Sequence, residues 1–156
     1  MNRRYSAEEM APVICEFVSQ GKKVNITVTG NSMYPLFRNR LDSVVLEKCE
    51  KYKKNDIVFY KRENGQYILH RIIREDEKGF CMAGDNETEK EYPVSEKTII
   101  AKVTEAKRGK KNVGFSGSFY KFYCFVWTNL FFMRKILLKI IKTLSKLKNI
   151  VYNNVE

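Results

Sequence analysis

Histidine is nearly absent from this chain of 156 residues: His70 is the only one, so any chemistry that needs an imidazole must use it. Cysteines are few and scattered. Cys15, Cys49, Cys81 and Cys124 form no CxxC pair, and no second histidine stands near them, which excludes a clustered structural zinc site. They read as small buried hydrophobes in a reducing compartment, with a disulfide left open. No metal and no cofactor is expected. Long apolar runs are missing too. The nearest, residues 119–133, holds Lys121 and is followed by Arg134 and Lys135, whereas a spanning helix needs about 20 predominantly apolar residues. The N-terminal stretch MNRRYSAEEMAPVICEF is broken by Glu8, Glu9, Pro12 and Glu16, so it reads as neither a signal peptide nor a membrane anchor. Acidic residues nearly vanish from the last third: residues 107–156 carry 11 Lys and Arg against one acid, while residues 1–106 carry 18 against 17. The net charge of +11 is therefore a property of the tail, and the rest is a near-neutral globular domain.

What is present suits a mostly-β domain. Met10, Val13, Ile14, Phe17 and Val18 recur at helical spacing, with Ser6 as the expected cap and Gly21 as the stop. Residues 24–29 alternate as a half-buried strand does, and further strands are expected at 42–48, 55–62, 66–74, 80–83 and 98–103. Asn64-Gly65 predicts a type I′ hairpin turn. The expected organisation is an N-terminal helix (1–23), a β domain (24–106), a basic Gly- and Ser-containing linker (107–118) and a tail (119–156). In that tail, eight aromatics in residues 119–133 precede a basic amphipathic helix. Leu137, Ile140, Ile141, Leu144 and Leu147 share one face of it, and Lys135, Lys139, Lys142 and Lys146 the other. Residues 119–148 are expected to associate with a membrane surface carrying anionic lipid, the alternative being that the tail packs on its own domain or on a partner. Nucleic acid is not the expected partner, because the apolar face would stay exposed.

One turn carries chemistry. A serine hydroxyl is a poor nucleophile until a neighbouring base removes its proton, and Ser32 lies in the glycine-containing turn GNSMYP after a strand, where backbone amides can meet an oxyanion. His70, on a strand with Ile68 and Ile72, is the candidate base. Gly30-Asn31-Ser32-Met33-Tyr34-Pro35, then NDIVFY, His70-Arg71 and Gly84-Asp85-Asn86 in order, resemble the type I signal peptidases, specifically their serine–histidine branch. SOS-repressor autoproteases share the fold and the serine turn but resemble this chain less. The resemblance spans about residues 24–103 and implies a signal-peptidase/LexA-like β-fold, with a short N-terminal helix and a C-terminal amphipathic helical tail.

It further implies a serine endopeptidase that cleaves signal peptides, leader peptides or membrane-proximal segments of secreted proteins, held extended, through Ser32, His70 and an acyl-enzyme. An acid should orient the imidazole. The position matching the family's aspartate is Glu91, and Asp85 is the other candidate. Gly30 stands where signal peptidases usually have a serine, so the oxyanion hole is expected to use backbone N–H groups. Asn55-Asp56-Ile57 stands for the family's Gly-Asp-hydrophobic turn. The family's usual transmembrane helix before the serine is missing. A membrane-associated location is expected, with the face left open. The alternatives are a regulatory autoprotease, for which the residues before Val24 leave no room for a helix-turn-helix, or a membrane-peripheral scaffold with a degenerate peptidase fold.

Overall fold

The structure, a computed structural model, describes residues 9–115, 117–134, 136–141, 143 and 144. Helix α1 (Ala11–Ser19) leads into eight strands: β1 (Val24–Thr27), β2 (Asp42–Glu47), β3 (Ile57–Lys61), β4 (Tyr67–Asp76), β5 (Gly79–Ala83), β6 (Glu91–Val94), β7 (Ile99–Arg108) and β8 (Lys111–Val113). Helix α2 (Ser118–Asn129) follows, and residues 134, 136–141, 143 and 144 are helical again.

Helix α1 begins with Pro12 in its first turn, where the missing N–H costs nothing, and Met10 at its N-cap offers no capping side chain. The expected cap, Ser6, lies outside the described residues. The helix ends as foreseen: Gly21 takes φ +73°, its N–H meets the carbonyl of Val18, and Lys22 N–H meets that of Phe17, which is a Schellman stop. Ala11, Ile14 and Val18 are buried, whereas Val13 and Phe17 face outward.

The strands form one antiparallel sheet in the order β1-β2-β7-β3-β4-β5-β6, with β8 on the free length of β7. Strand β3 is central and covered on both sides. Its period of two sends Ile57 and Phe59 into one core, with Val44, Leu46 and the helix α1 side chains, and Val58 and Tyr60 into a second, with Ile72, Phe80 and Met82. Register shifts in β2, β3, β4 and β5 bend the sheet enough to wrap both cores.

Four sequence expectations change. The β3–β4 hairpin is present, but its loop is Glu63-Asn64-Gly65: Gly65 N–H bonds the Arg62 carbonyl and only Gly65 has positive φ, so the turn is not type I′. Strand β6 lies where the sequence predicts no strand, and Pro93 fits there because β6 is an edge strand. Residues 107–113 of the expected linker form a β hairpin, since β7 runs to Arg108, Gly109 turns at φ +60°, and Lys111 pairs back with Arg108. The expected boundary at Ala106 thus falls inside a strand. Finally, α2 is not detached from the domain. Tyr120 and Tyr123 pack against the first core, and Cys124, Trp127 and Thr128 are buried. Among the described residues, no helix is long and apolar enough to cross a membrane.

Candidate active site

The serine turn leaves edge strand β1. Gly30 adopts φ +87°, a conformation that favours glycine, and its N–H is anchored on Asn39 Oδ1 at 3.1 Å. Met33, Leu36 and Phe37 then dive into the first core, which leaves Ser32 half-buried on the near side of the turn. Apolar anchors on one side and a polar turn on the other are what fix a serine at a surface. Among the described residues, neither the Ser32 hydroxyl nor the Ser32 and Met33 amides have an intramolecular partner.

His70 lies on β4, paired across the ladder with Val58 and facing the second core beside Ile68 and Ile72, as its strand spacing predicts. It is 1% exposed. Glu91 Oε1 sits 3.2 Å from Nδ1, and the Tyr60 hydroxyl lies 3.3 Å from the same nitrogen. Glu91 opens β6 opposite Met82, so the β5–β6 pairing delivers it to the ring. Arg62, one residue past β3, grips Glu91 through both Nε and Nη2. Burial pushes the Glu91 carboxyl up, but His70 and Arg62 outweigh it and hold the pKa at about 2. An ionised Glu91 therefore faces Nδ1 at any neutral pH, which keeps the proton of a neutral imidazole on Nδ1 and leaves Nε2 as the nitrogen that can act as base.

The other nitrogen, Nε2, meets Glu87 Oε2 at 3.4 Å. Glu87 belongs to the turn 84–87 after β5, closed by a Glu87 N–H to Gly84 carbonyl bond. Burial lowers the His70 pKa, but the two carboxylates outweigh it, and the net shift is upward. Glu87 itself is lowered, chiefly through its bond to His70.

Gly84 is the hub. A Cβ there would lie 2.6 Å from the Ser32 carbonyl oxygen, 3.0 Å from His70 Nε2 and 3.1 Å from Glu87 Cδ. Serine turn, histidine and glutamate thus converge on a space only glycine leaves open. Asn86 N–H donates to the Ser32 carbonyl at 2.7 Å and ties the two turns together.

Asp85 has a different place. It is fully buried and forms a two-pronged pair with fully buried Arg71, at 2.9 and 2.8 Å. Tyr123 donates to the same carboxylate at 2.8 Å, and Trp127 Nε1 donates to the Asp85 carbonyl at 2.7 Å. This corrects Asp85 as a candidate for orienting His70: its carboxylate is spent on Arg71 and α2. Arg134, also buried, donates to the carbonyls of Gly84 at 2.6 Å and Glu87 at 3.0 Å. Burial brings its pKa down to about 10. The tail therefore clamps the turn that shapes the site, a role its composition concealed. Asn55, the stand-in for glycine, has φ 78° as its identity allows.

His70, Glu87 and Glu91 could place ligand atoms within 4.8 Å of one another. The two carboxylates face opposite nitrogens of one ring, however, so a single ion cannot take both and the imidazole together. Their arrangement suits proton transfer.

A family model described as Peptidase S24-like matches residues 3–104, which include Ser32, His70, Glu87 and Glu91 and stop short of α2 and Arg134. No curated protein and no solved structure matches the chain significantly.

Proposed function

Since this chain belongs to the Peptidase S24-like family, we propose that it is a serine endopeptidase in which Ser32 attacks, His70 carries the proton and Glu91 orients the imidazole. The observation that carries this reading is the convergence over Gly84: a ring held at Nδ1 by an ionised carboxylate turns Nε2 toward the space beside the Ser32 turn. In the first step the Ser32 O–H bond breaks, its proton passes to Nε2, and Oγ bonds to the scissile carbonyl carbon. The amine then leaves with the Nε2 proton, and water repeats the sequence to release the acid. The unpartnered Ser32 and Met33 amides supply donors for the oxyanion, in keeping with Gly30 in place of a serine. In the charged resting form Nε2–H donates to Glu87; loss of that proton to solvent leaves Nε2 unprotonated, and only then does it accept the Ser32 proton.

The substrate is an extended peptide lying along the outer edge of β1, which leads into the serine turn and, among the described residues, pairs with β2 and with no other strand. From the likeness of the serine turn to that of signal peptidases, the substrates are leader peptides or membrane-proximal segments, cut after small residues. Mass spectrometry of cut sites in an extended-peptide library tests this: cleavage after small residues, absent in Ser32→Ala, is the expected result, and Ser32-independent cleavage would overturn it. The family match also favours self-cleavage as a second reading. A fragment that appears at a rate independent of protein concentration, and not in Ser32→Ala, would identify it.

A further inference from the structure

Helix α2 has two faces, and its inner one leaves no freedom about which is outside. Tyr123 and Trp127 are bonded to Asp85, Tyr120 accepts from Arg71 at 3.0 Å, and Tyr123 stacks on Trp127 with centroids 4.6 Å apart. With the helix locked in this way, Phe119, Phe122 and Phe125 are left 85, 65 and 57% exposed, far more than large aromatics tolerate without a function. The helical residues that follow repeat the pattern. Leu138 and Arg134 turn inward, whereas Ile136, Ile140 and Leu144, four residues apart, are 59, 50 and 60% exposed. Of the apolar face drawn from the helical wheel, Leu137 and Ile141 are half-buried, Ile140 and Leu144 are exposed, and Leu147 lies outside the described residues.

Charge selects the occupant. Lys121 and Lys139 are exposed on these helical stretches, residues 118–156 hold seven Lys and Arg against one acid, and among the described residues there Arg134 is the only basic one withdrawn into the domain. A second copy docking through the same face would bring two such segments together and be repelled. Nucleic acid would satisfy the lysines and leave the phenylalanines in water. A surface with anionic headgroups over an apolar layer satisfies both.

We propose that the outer face of α2 and of the helical residues after it docks on an anionic lipid bilayer, holding the Ser32–His70 site at the membrane surface. The docking stands independently of the peptidase reading: flotation reports on one and active-site labelling on the other. The same helix that meets lipid also clamps the turn 84–87, so the site is carried at a fixed height above the surface.

The test uses the full chain with vesicles of phosphatidylcholine alone or mixed with phosphatidylglycerol. About tenfold more protein should float with the mixed vesicles, and high salt should weaken this without abolishing it, since screening acts on the lysines and not on buried aromatics. The triple variant Phe119→Ser/Phe122→Ser/Phe125→Ser should lose flotation about tenfold while keeping Trp127 fluorescence and Ser32 labelling. Lys121→Glu/Lys139→Glu should lose the preference for anionic vesicles and guards against misfolding of the first variant. Four outcomes would overturn the proposal: full-length protein that ignores both vesicle types, equal flotation on both, a triple variant that floats like the wild type, or a dimer that the triple variant breaks while neither protein floats.

Discussion

Asp85→Asn separates a structural carboxylate from a catalytic one. Arg71 and Asp85 are both fully buried, and the pair is joined by bonds of 2.9 and 2.8 Å with Tyr123 as a third partner. Burial disfavours the Arg71 charge, but Asp85 outweighs it and keeps the guanidinium firmly ionised. The amide retains one acceptor, turns an NH2 group toward the guanidinium, and strands a positive charge where water cannot reach. Breaking a buried pair from one side costs about 3–5 kcal/mol, against a total of about 5–15 for an ordinary domain. At about 2–4 °C per kcal/mol for a chain of this size, the midpoint should fall by roughly 10 °C. Trp127 is the only tryptophan, stacks on Tyr123 and donates to the Asp85 carbonyl, so its fluorescence during urea or thermal unfolding reads this contact directly. Below the midpoint, the folded variant should keep peptidase activity within about tenfold of wild type, since Asp85 touches neither Ser32 nor His70. A loss of stability under about 1 kcal/mol, with activity abolished in folded protein, would refute the assignment and return Asp85 to the catalytic group.

Four further outcomes follow from the geometry. Glu91→Gln removes the charge facing Nδ1, so kcat should fall about 100-fold or more while KM stays nearly constant; steady-state kinetics showing a KM effect alone would contradict the orienting role. Because His70 is raised by Glu87 and Glu91, the neutral base prevails only above its folded pKa, so the rate should fall as pH drops through a midpoint above the free imidazole value of about 6.5. By the same sign, the stability His70 contributes is full below that value and lost as pH rises through the folded pKa. Glu87→Gln leaves Glu91, Tyr60 and Arg62 around the ring and should move the rate midpoint down; an unmoved midpoint would show that Glu87 does not act on His70. Gly84→Ala would place a methyl 2.6 Å from the Ser32 carbonyl and 3.0 Å from His70 Nε2, so labelling of Ser32 should be lost in a chain that still folds, as checked by circular dichroism.

The strands that bury alternate residues were legible, because period two in β1 and β2 reports a face against a core. The turn that holds Ser32 and the strand that holds His70 were legible as well. Strand β6 was not, since its burial pattern is weak and Pro93 argues against a ladder. Glu91 was reachable only by counting from Gly84, and nothing local separates it from Glu87 or Glu89. The tail misled for a physical reason. Aromatics spaced to fill two sides of a helix look the same in sequence whether one side or both meet lipid, and the buried partners that decide it, Arg71 and Asp85, lie far away in the chain. Arg134 read as one more cation of a basic run, yet it is the residue that holds the turn 84–87 by its carbonyls.

Peptide mapping after treatment with a fluorophosphonate tests whether His70 activates Ser32, since the reagent bonds to an activated serine oxygen. The expected result is a single adduct on Ser32 in the wild-type chain, none in Ser32→Ala, and a loss of at least about 100-fold in labelling rate in folded His70→Ala. An adduct on another serine, or a His70→Ala chain that labels as fast as the wild type, would contradict it.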